Sequence, residues 1–230
     1  MPSGSVVIIG SGPGIGRSVA AEFAAKGFSR FALLARREEQ LAADRDFVLQ
    51  QNASADVKTY TTDVTQLAKL KDTLQQAGSD LGPPEVVLYN AARVQTSKLL
   101  ETSEEEMNHE FQIACPALHV AAKWAIPQMV DLSKQTPASK PSFFITNSLL
   151  PQEPEPHVFN LSLAKAAQFN LAQSLAQVYS PQGVHVGVLV VGGVVNDSSK
   201  TLSARNIAVQ TYEFYDQPKD LQTFTVEFLE

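Results

Sequence analysis

The sequence predicts a doubly wound α/β fold, in which a parallel sheet of about seven strands carries helices on both faces. Three observations predict it. Short apolar runs, which suit strands buried on both faces, alternate with amphipathic helical segments along the chain. The first strand enters the first helix through a turn that contains four glycines. No linker divides the 230 residues, so we expect one domain over residues 1–230.

The elements follow in a regular order. Strands are predicted at residues 6–9, 30–35, 57–61, 86–89, 142–146, 184–190 and 223–229. Helices are predicted at residues 15–26, 38–51, 65–77, 104–132, 160–179 and 206–215. Gly27 and Gly78 are expected to stop the first and third helices. Polar and proline-rich loops are expected at residues 133–141 and 151–157.

Bulk properties exclude some classes of protein. The net charge is −6 and the basic residues are scattered, so we expect no nucleic-acid or membrane partner. The single cysteine, Cys115, has no internal disulfide partner, which fits a reducing compartment. The first four residues do not resemble a signal peptide, and no apolar run reaches about 18 residues. We therefore expect a soluble cytoplasmic protein, and no metal ligands are assigned.

The glycine turn reads Gly10-Ser11-Gly12-Pro13-Gly14-Ile15-Gly16. Glycine lets the backbone turn tightly and approach a ligand closely. The helix that follows offers unpaired N–H groups and the positive end of its dipole. A strand, a glycine turn and a helix start together predict a site for the pyrophosphate of a dinucleotide. The alternative is a tight turn that binds nothing.

The spacing of Gly10, Gly14 and Gly16 resembles the short-chain dehydrogenase/reductase family, although Ile9 stands where that family usually has threonine. The resemblance implies a Rossmann-type fold and a nicotinamide cofactor. Its phosphates would then lie against the turn, whose contact residues are Gly10, Ser11, Gly12, Gly14, Ile15 and Gly16.

The end of the second strand bears on the choice of cofactor. It continues into Arg36 and Arg37, and no carboxylate stands at the turn. A guanidinium pairs with a phosphate, whereas a carboxylate there would bind ribose hydroxyls. Arg36 therefore favours NADP(H) over NAD(H); the alternative is a solvated pair of arginines at a helix start.

Three further segments match the family pattern. Asp63 and Val64 stand where the family has an Asp-Val pair against the adenine, although Asp63 also suits the N-cap of the next helix. Asn90 and Ala91 match the core of the Asn-Asn-Ala-Gly segment, where Asn90 is expected to join strand ends and meet the ribose. Gly192 and Val194 match the segment that closes over the nicotinamide.

The catalytic positions of the family are only partly filled. Ser148 matches its serine and Lys165 its lysine, which also binds the nicotinamide ribose. Leu161 stands four residues before Lys165, where the family has its proton-donating tyrosine, and the asparagine of the proton relay has no counterpart. Leucine has no titratable group, so we expect tyrosine-dependent carbonyl reduction to be very slow. His157 is an alternative proton donor; otherwise it is a solvent-exposed loop histidine without a catalytic role.

Three functions remain open at this point. The protein is a reductase that uses another acid or water, a non-redox enzyme on the same scaffold, or an NADP(H)-binding protein without catalysis. Non-redox chemistry would mean cyclisation, isomerisation or elimination. The apolar residues Leu149, Leu150, Leu161 and Val191 indicate an apolar small-molecule ligand. The resemblance also implies a homodimer or homotetramer that pairs through residues 104–132 and 160–179.

Overall fold

The computed structural model describes residues 4–230 and confirms the predicted fold class. Seven parallel strands form one sheet in the order β3-β2-β1-β4-β5-β6-β7. The strands are β1 (Ser5–Ile9), β2 (Arg30–Ala35), β3 (Asp56–Thr61), β4 (Pro84–Tyr89), β5 (Ser142–Ser148), β6 (His185–Val191) and β7 (Thr225–Phe228).

Helices cover both faces of this sheet. They are α1 (Ile15–Ala25), α2 (Glu38–Leu49), α3 (Leu67–Leu81), α4 (Glu104–Ala114), α5 (Pro116–Gln135), α6 (Phe159–Tyr179) and α7 (Ala204–Asp216). The apolar residues of α1, α2 and α7 pack on one face of the sheet, and those of α3, α5 and α6 pack on the other. β1, β4 and β6 are buried along their whole lengths, as the apolar runs within them predict.

The sheet topology determines where a ligand can bind. The chain builds outward from β1 through β2 to β3, and then restarts on the other side of β1 with β4. The connections after β1 and β4 therefore diverge and leave a crevice at the carboxyl ends of these strands. The glycine turn after β1 and Asn90 after β4 both lie at this edge.

The third and fourth predicted helices are wrong in part. Gly78 does not end α3, which continues to Leu81 and stops at Gly82, whose φ is +80°. A Cβ on Gly78 would lie 3.3 Å from the Trp124 ring, so this glycine allows α3 and α5 to pack closely. The single helix predicted at residues 104–132 is two helices, because Pro116 has no N–H to continue the ladder of α4 and begins α5 instead.

Asp63 is not the N-cap of α3. That helix begins at Leu67, and Gln66 occupies the N-cap position. The Asp63 carboxylate accepts hydrogen bonds from the N–H of Thr65 at 2.9 Å and from its hydroxyl at 2.8 Å. Asp63 therefore closes a local turn at the end of β3.

Candidate functional site

Two adjoining cavities lie at the carboxyl ends of the central strands. One, of about 260 Å³, is bordered by the ends of β1, β2 and β4 and carries several charged side chains; we call it the polar cavity. The other, of about 630 Å³, is bordered by the ends of β5 and β6 and by α6; we call it the apolar cavity. Asn90 and Ala92 line both cavities. A single elongated ligand can therefore occupy both.

The glycine turn keeps its backbone open towards this edge of the sheet. Gly10 has a φ of +96°, and a Cβ there would lie 2.5 Å from the Ala91 nitrogen. No atom lies within 4 Å of the place where a Cβ would stand on Gly12 or Gly14. A Cβ on Gly16 would lie 2.8 Å from the Gly10 carbonyl oxygen, so the start of α1 packs directly on the turn. Only Gly10 and Ser11 of the turn line the polar cavity, and Ile15 lines the apolar cavity.

The buried carboxylate of Asp44 anchors the glycine turn through a hydrogen bond from Ser11. The Ser11 hydroxyl donates to Oδ2 of Asp44 at 2.7 Å, and the Gln40 side-chain amide donates to Oδ1 at 2.7 Å. Asp44 on α2 is fully buried, and Ser11 is 8% exposed. This contact joins α2 to the turn across 33 residues of sequence, and local sequence patterns gave no sign of it.

The adenosine-side residues expected from the sequence meet in the polar cavity, which is lined by Arg36, Asp63, Val64 and Asn90 among others. Arg36 and Arg37 are exposed, and within residues 4–230 neither guanidinium has a hydrogen-bond or ion-pair partner. Burial alone raises the pKa of Asp63, but the hydrogen bonds from Thr65 and the charge of Arg36 lower it below its ordinary value. The cavity thus presents free guanidinium groups beside one ionised carboxylate.

Asn90 joins the two strand ends as expected. Its side-chain amide donates to the Gly10 carbonyl at 2.9 Å, and its backbone N–H donates to the Ile9 carbonyl at 2.8 Å. The end of β4 is thereby tied to the glycine turn after β1. This contact fixes the boundary between the polar and apolar cavities.

The apolar cavity contains the expected catalytic positions. Ser148, Leu161, Lys165, Gly192 and Val194 all line it. Leu161 is 8% exposed, so its side chain forms part of the wall. The Ser148 hydroxyl oxygen accepts a hydrogen bond from the Leu150 N–H at 3.3 Å, which shapes the turn after β5.

Lys165 is buried in the floor between the cavity and β5. Its Nζ donates to the Thr146 carbonyl at 2.7 Å and to Oε1 of Gln168 at 2.9 Å. Burial lowers the pKa of Lys165 to about 8, and its electrostatic interactions with Cys115 and Glu110 oppose that shift. A lysine three residues before a glutamine on one helix is a pattern visible in the sequence, and the role of Gln168 was missed there.

The structure does not bring His157 to the site. Its side chain is 89% exposed and lies 3.9 Å from the Glu155 carboxylate, and it does not line either cavity. Glu153 and Glu155 line the apolar cavity instead, and His109 lines the polar one. His109 was not predicted as a site residue, because periodicity alone does not show which face of α4 meets the cavity.

Comparison with known proteins identifies the family. The family model for short chain dehydrogenases matches residues 5–206. A curated short chain dehydrogenase/reductase of Cryptosporiopsis is 29% identical over 201 residues, which cover 80% of this chain and 74% of that protein.

Solved structures show the same fold. An NADPH-bound short chain oxidoreductase of Pseudomonas aeruginosa, described as containing an atypical catalytic centre, superimposes with a TM-score of 0.82 at 22% identity, covering 97% of this chain and 94% of that one. An NADH-dependent reductase complexed with NAD superimposes with a TM-score of 0.83 at 15% identity, covering 98% and 95%. The match of the family model over most of the sequence, on a seven-stranded parallel sheet with the glycine turn at its switch point, places this chain in the short-chain dehydrogenase/reductase family.

Proposed function

We propose that the protein is an NADP(H)-dependent oxidoreductase of an apolar small molecule, and that it works without the family's catalytic tyrosine. The observation that carries the proposal is the pair of cavities joined at Asn90. The polar cavity offers free guanidinium groups, and the apolar cavity has Leu161 and Lys165 in its wall.

The residues present fit a dinucleotide. Gly12 and Gly14 leave the backbone uncovered for the pyrophosphate, beside the N-terminus of α1. In this proposal Arg36 pairs with the 2′-phosphate, and Asp63 and Val64, which line the same cavity, contact the adenine. A nicotinamide cofactor, when bound, supplies the hydride.

The residues that line the apolar cavity limit which substrate can bind and which groups can act on it. Leu149, Leu161, Val191 and Val194 give the apolar cavity apolar walls, which favour an apolar substrate. The Ser148 hydroxyl and the Lys165 ammonium are two polar groups in the lining that can orient a carbonyl oxygen. Leu161 holds no proton, so a reduction must take its proton from another group.

Removal of the Arg36 guanidinium tests the cofactor preference. We expect Arg36→Ala to weaken NADPH binding by about 1.5–3 kcal/mol, the size of a charge-assisted hydrogen bond, and to leave NADH binding nearly unchanged. Arg45→Ala is the matched control, because Arg45, on α2, is another exposed arginine and does not line the polar cavity. Titration calorimetry measures the affinities of the wild type and of both variants for both cofactors. An Arg36→Ala loss that is equal for NADPH and NADH contradicts the assignment.

We further propose that the protein is a homodimer or homotetramer that pairs through α4, α5 and α6. Phe111 on α4 and Leu163 on α6 are large apolar residues that are 46% and 49% exposed, and these two helices pack against each other. We expect light scattering at micromolar concentration to give a multiple of the chain mass, and Leu163→Glu to reduce it. A monomeric mass for the unaltered protein contradicts the proposal.

A further inference from the structure

The Lys165 ammonium has one hydrogen that the protein does not use. An ammonium carries three donors. Two go to the Thr146 carbonyl and to Oε1 of Gln168, and the described part of the chain provides no acceptor for the third. Lys165 is 7% exposed and lines the apolar cavity next to Leu161 and Ser148.

Gln168 fixes the position of this ammonium. It is fully buried, and its Nε2 donates to the Ala114 carbonyl at 3.1 Å, which turns Oε1 towards Lys165. The buried Asn147 donates to the Lys165 carbonyl at 3.1 Å and to Oε1 of Gln168 at 3.3 Å. This network ties α6 to β5 and to the break between α4 and α5, so Nζ is held at the cavity wall with little freedom.

Few other charged groups face Lys165. Cys115 and Glu110 approach it from the junction of α4 and α5. Burial raises the pKa of the Cys115 thiol to about 11, so this thiol is neutral at pH 7. Glu110 pairs with Arg93 at 3.4 Å, and Glu153 and Glu155 lie at the exposed mouth of the cavity. The desolvation that lowers the pKa of Lys165 to about 8 is therefore only partly offset.

Other acids near the cavity are poorly placed to act. Tyr89 is fully buried, and its hydroxyl donates to the Ile113 carbonyl. Burial raises the pKa of this hydroxyl above its ordinary value. His157 is directed into solvent. Lys165, in contrast, lines the cavity and has a hydrogen available for donation. Its pKa of about 8 is close to neutral pH, where a general acid works best.

We propose that Lys165 is the proton donor for carbonyl reduction in this protein, in place of the absent tyrosine. The inference rests on the proposed oxidoreductase function. As the carbonyl carbon gains a hydride from the reduced nicotinamide, its C=O π pair takes a proton from Nζ; the N–H bond breaks and an O–H bond forms. The products are an alcohol, an oxidised nicotinamide and a neutral amine. Water at the mouth of the cavity then returns a proton to Nζ.

The first test measures the pKa of Lys165 without any turnover. The protein is labelled with ¹³C at lysine Cε and titrated by NMR from pH 6 to pH 11, beside the Lys165→Arg variant. We expect one resonance with a pKa near 8 that is missing from the variant, because burial favours the neutral amine. If every lysine titrates near its ordinary value of about 10.4, the inference is overturned.

The second test follows NADPH oxidation with menadione and 2-decanone as probes. The wild-type rate should be constant below about pH 8 and should fall tenfold per pH unit above it, since only the protonated amine donates. Lys165→Arg and Lys165→Met should each lose about 10²–10⁴-fold in kcat and the break near pH 8, while Lys165→Arg keeps NADPH affinity. Lys123→Arg, a change at an exposed lysine on α5, is the control and should behave as wild type.

The outcomes separate two failures. An active wild-type protein whose rate and pH break survive Lys165→Arg and Lys165→Met overturns the role of Lys165 and leaves the oxidoreductase function standing. A wild-type protein that binds NADPH but oxidises it with neither probe contradicts both.

Discussion

The Leu161→Tyr variant should oxidise NADPH about tenfold faster than the wild-type protein at pH 9, with menadione as the acceptor. Leu161 lies one helical turn before Lys165 and forms part of the apolar cavity wall, so a tyrosine there would place a phenol beside Nζ. At pH 9 an amine with a pKa of about 8 is roughly one-tenth protonated, whereas a phenol with an ordinary pKa of about 10 is roughly nine-tenths protonated. The new hydroxyl therefore supplies a proton under conditions in which Lys165 has lost its own.

Leu161→Phe is the matched control, because it adds the same ring without the hydroxyl. Rates from pH 6 to pH 10 distinguish a new proton donor from a change in pocket shape. We expect the alkaline decline to move upward in Leu161→Tyr and to stay near pH 8 in Leu161→Phe. An identical decline in both variants would show that the phenol does not take part.

The Gly10→Ala variant should lose about 2–5 kcal/mol in free energy of unfolding and nearly all affinity for NADPH. A φ of +96° costs a residue with a side chain about 1–3 kcal/mol, and the new methyl group would also collide with the backbone of Ala91 at 2.5 Å. Relief of that collision requires the glycine turn and the end of β4 to separate, which breaks the hydrogen bond from Asn90 to the Gly10 carbonyl. The mouth of both cavities changes as a result.

Gly27→Ala separates strain from collision. Gly27 has nearly the same φ, +95°, but no atom lies within 4 Å of the place where its Cβ would stand. Gly27 follows the C-terminal end of α1, whereas the glycine turn precedes its N-terminal end. We expect a smaller loss of stability from strain alone and unchanged NADPH affinity. Urea unfolding gives both stabilities, and equal losses in the two variants would contradict this explanation.

The fold was predictable because its signals are local. The inner strands of the sheet contain apolar runs such as Val6–Ile9, and the glycine turn marks the switch point, so the order of these elements along the chain indicates a parallel doubly wound sheet. The predicted helix ends were less accurate where a glycine can either stop a helix or allow two helices to pack closely. Gly78 was interpreted as a stop signal, but it lies within α3 and makes room for Trp124.

The site was predictable only where the family motif supplies positions. The family motif supplied the turn glycines, Asn90, Ser148 and Lys165 as candidates, charge at the end of the second strand supplied Arg36, and the structure brings these strand ends to one edge of the sheet. The partners of these residues were not predictable, because they depend on tertiary contacts. Asp44 meets Ser11 from another helix, and Gln168 reaches the Ala114 carbonyl across 54 residues.

No helix within residues 4–230 combines the length and the apolar character needed to cross a membrane.

Titration calorimetry of the wild-type protein with NADPH and with NADH tests the central claim most directly. We expect one NADPH to bind per chain at least about tenfold more tightly than NADH, because the Arg36 guanidinium, which has no hydrogen-bond or ion-pair partner among residues 4–230, can pair with the 2′-phosphate, and no carboxylate stands at the end of β2. Equal affinity for the two cofactors, or no heat of binding with either, would contradict the account.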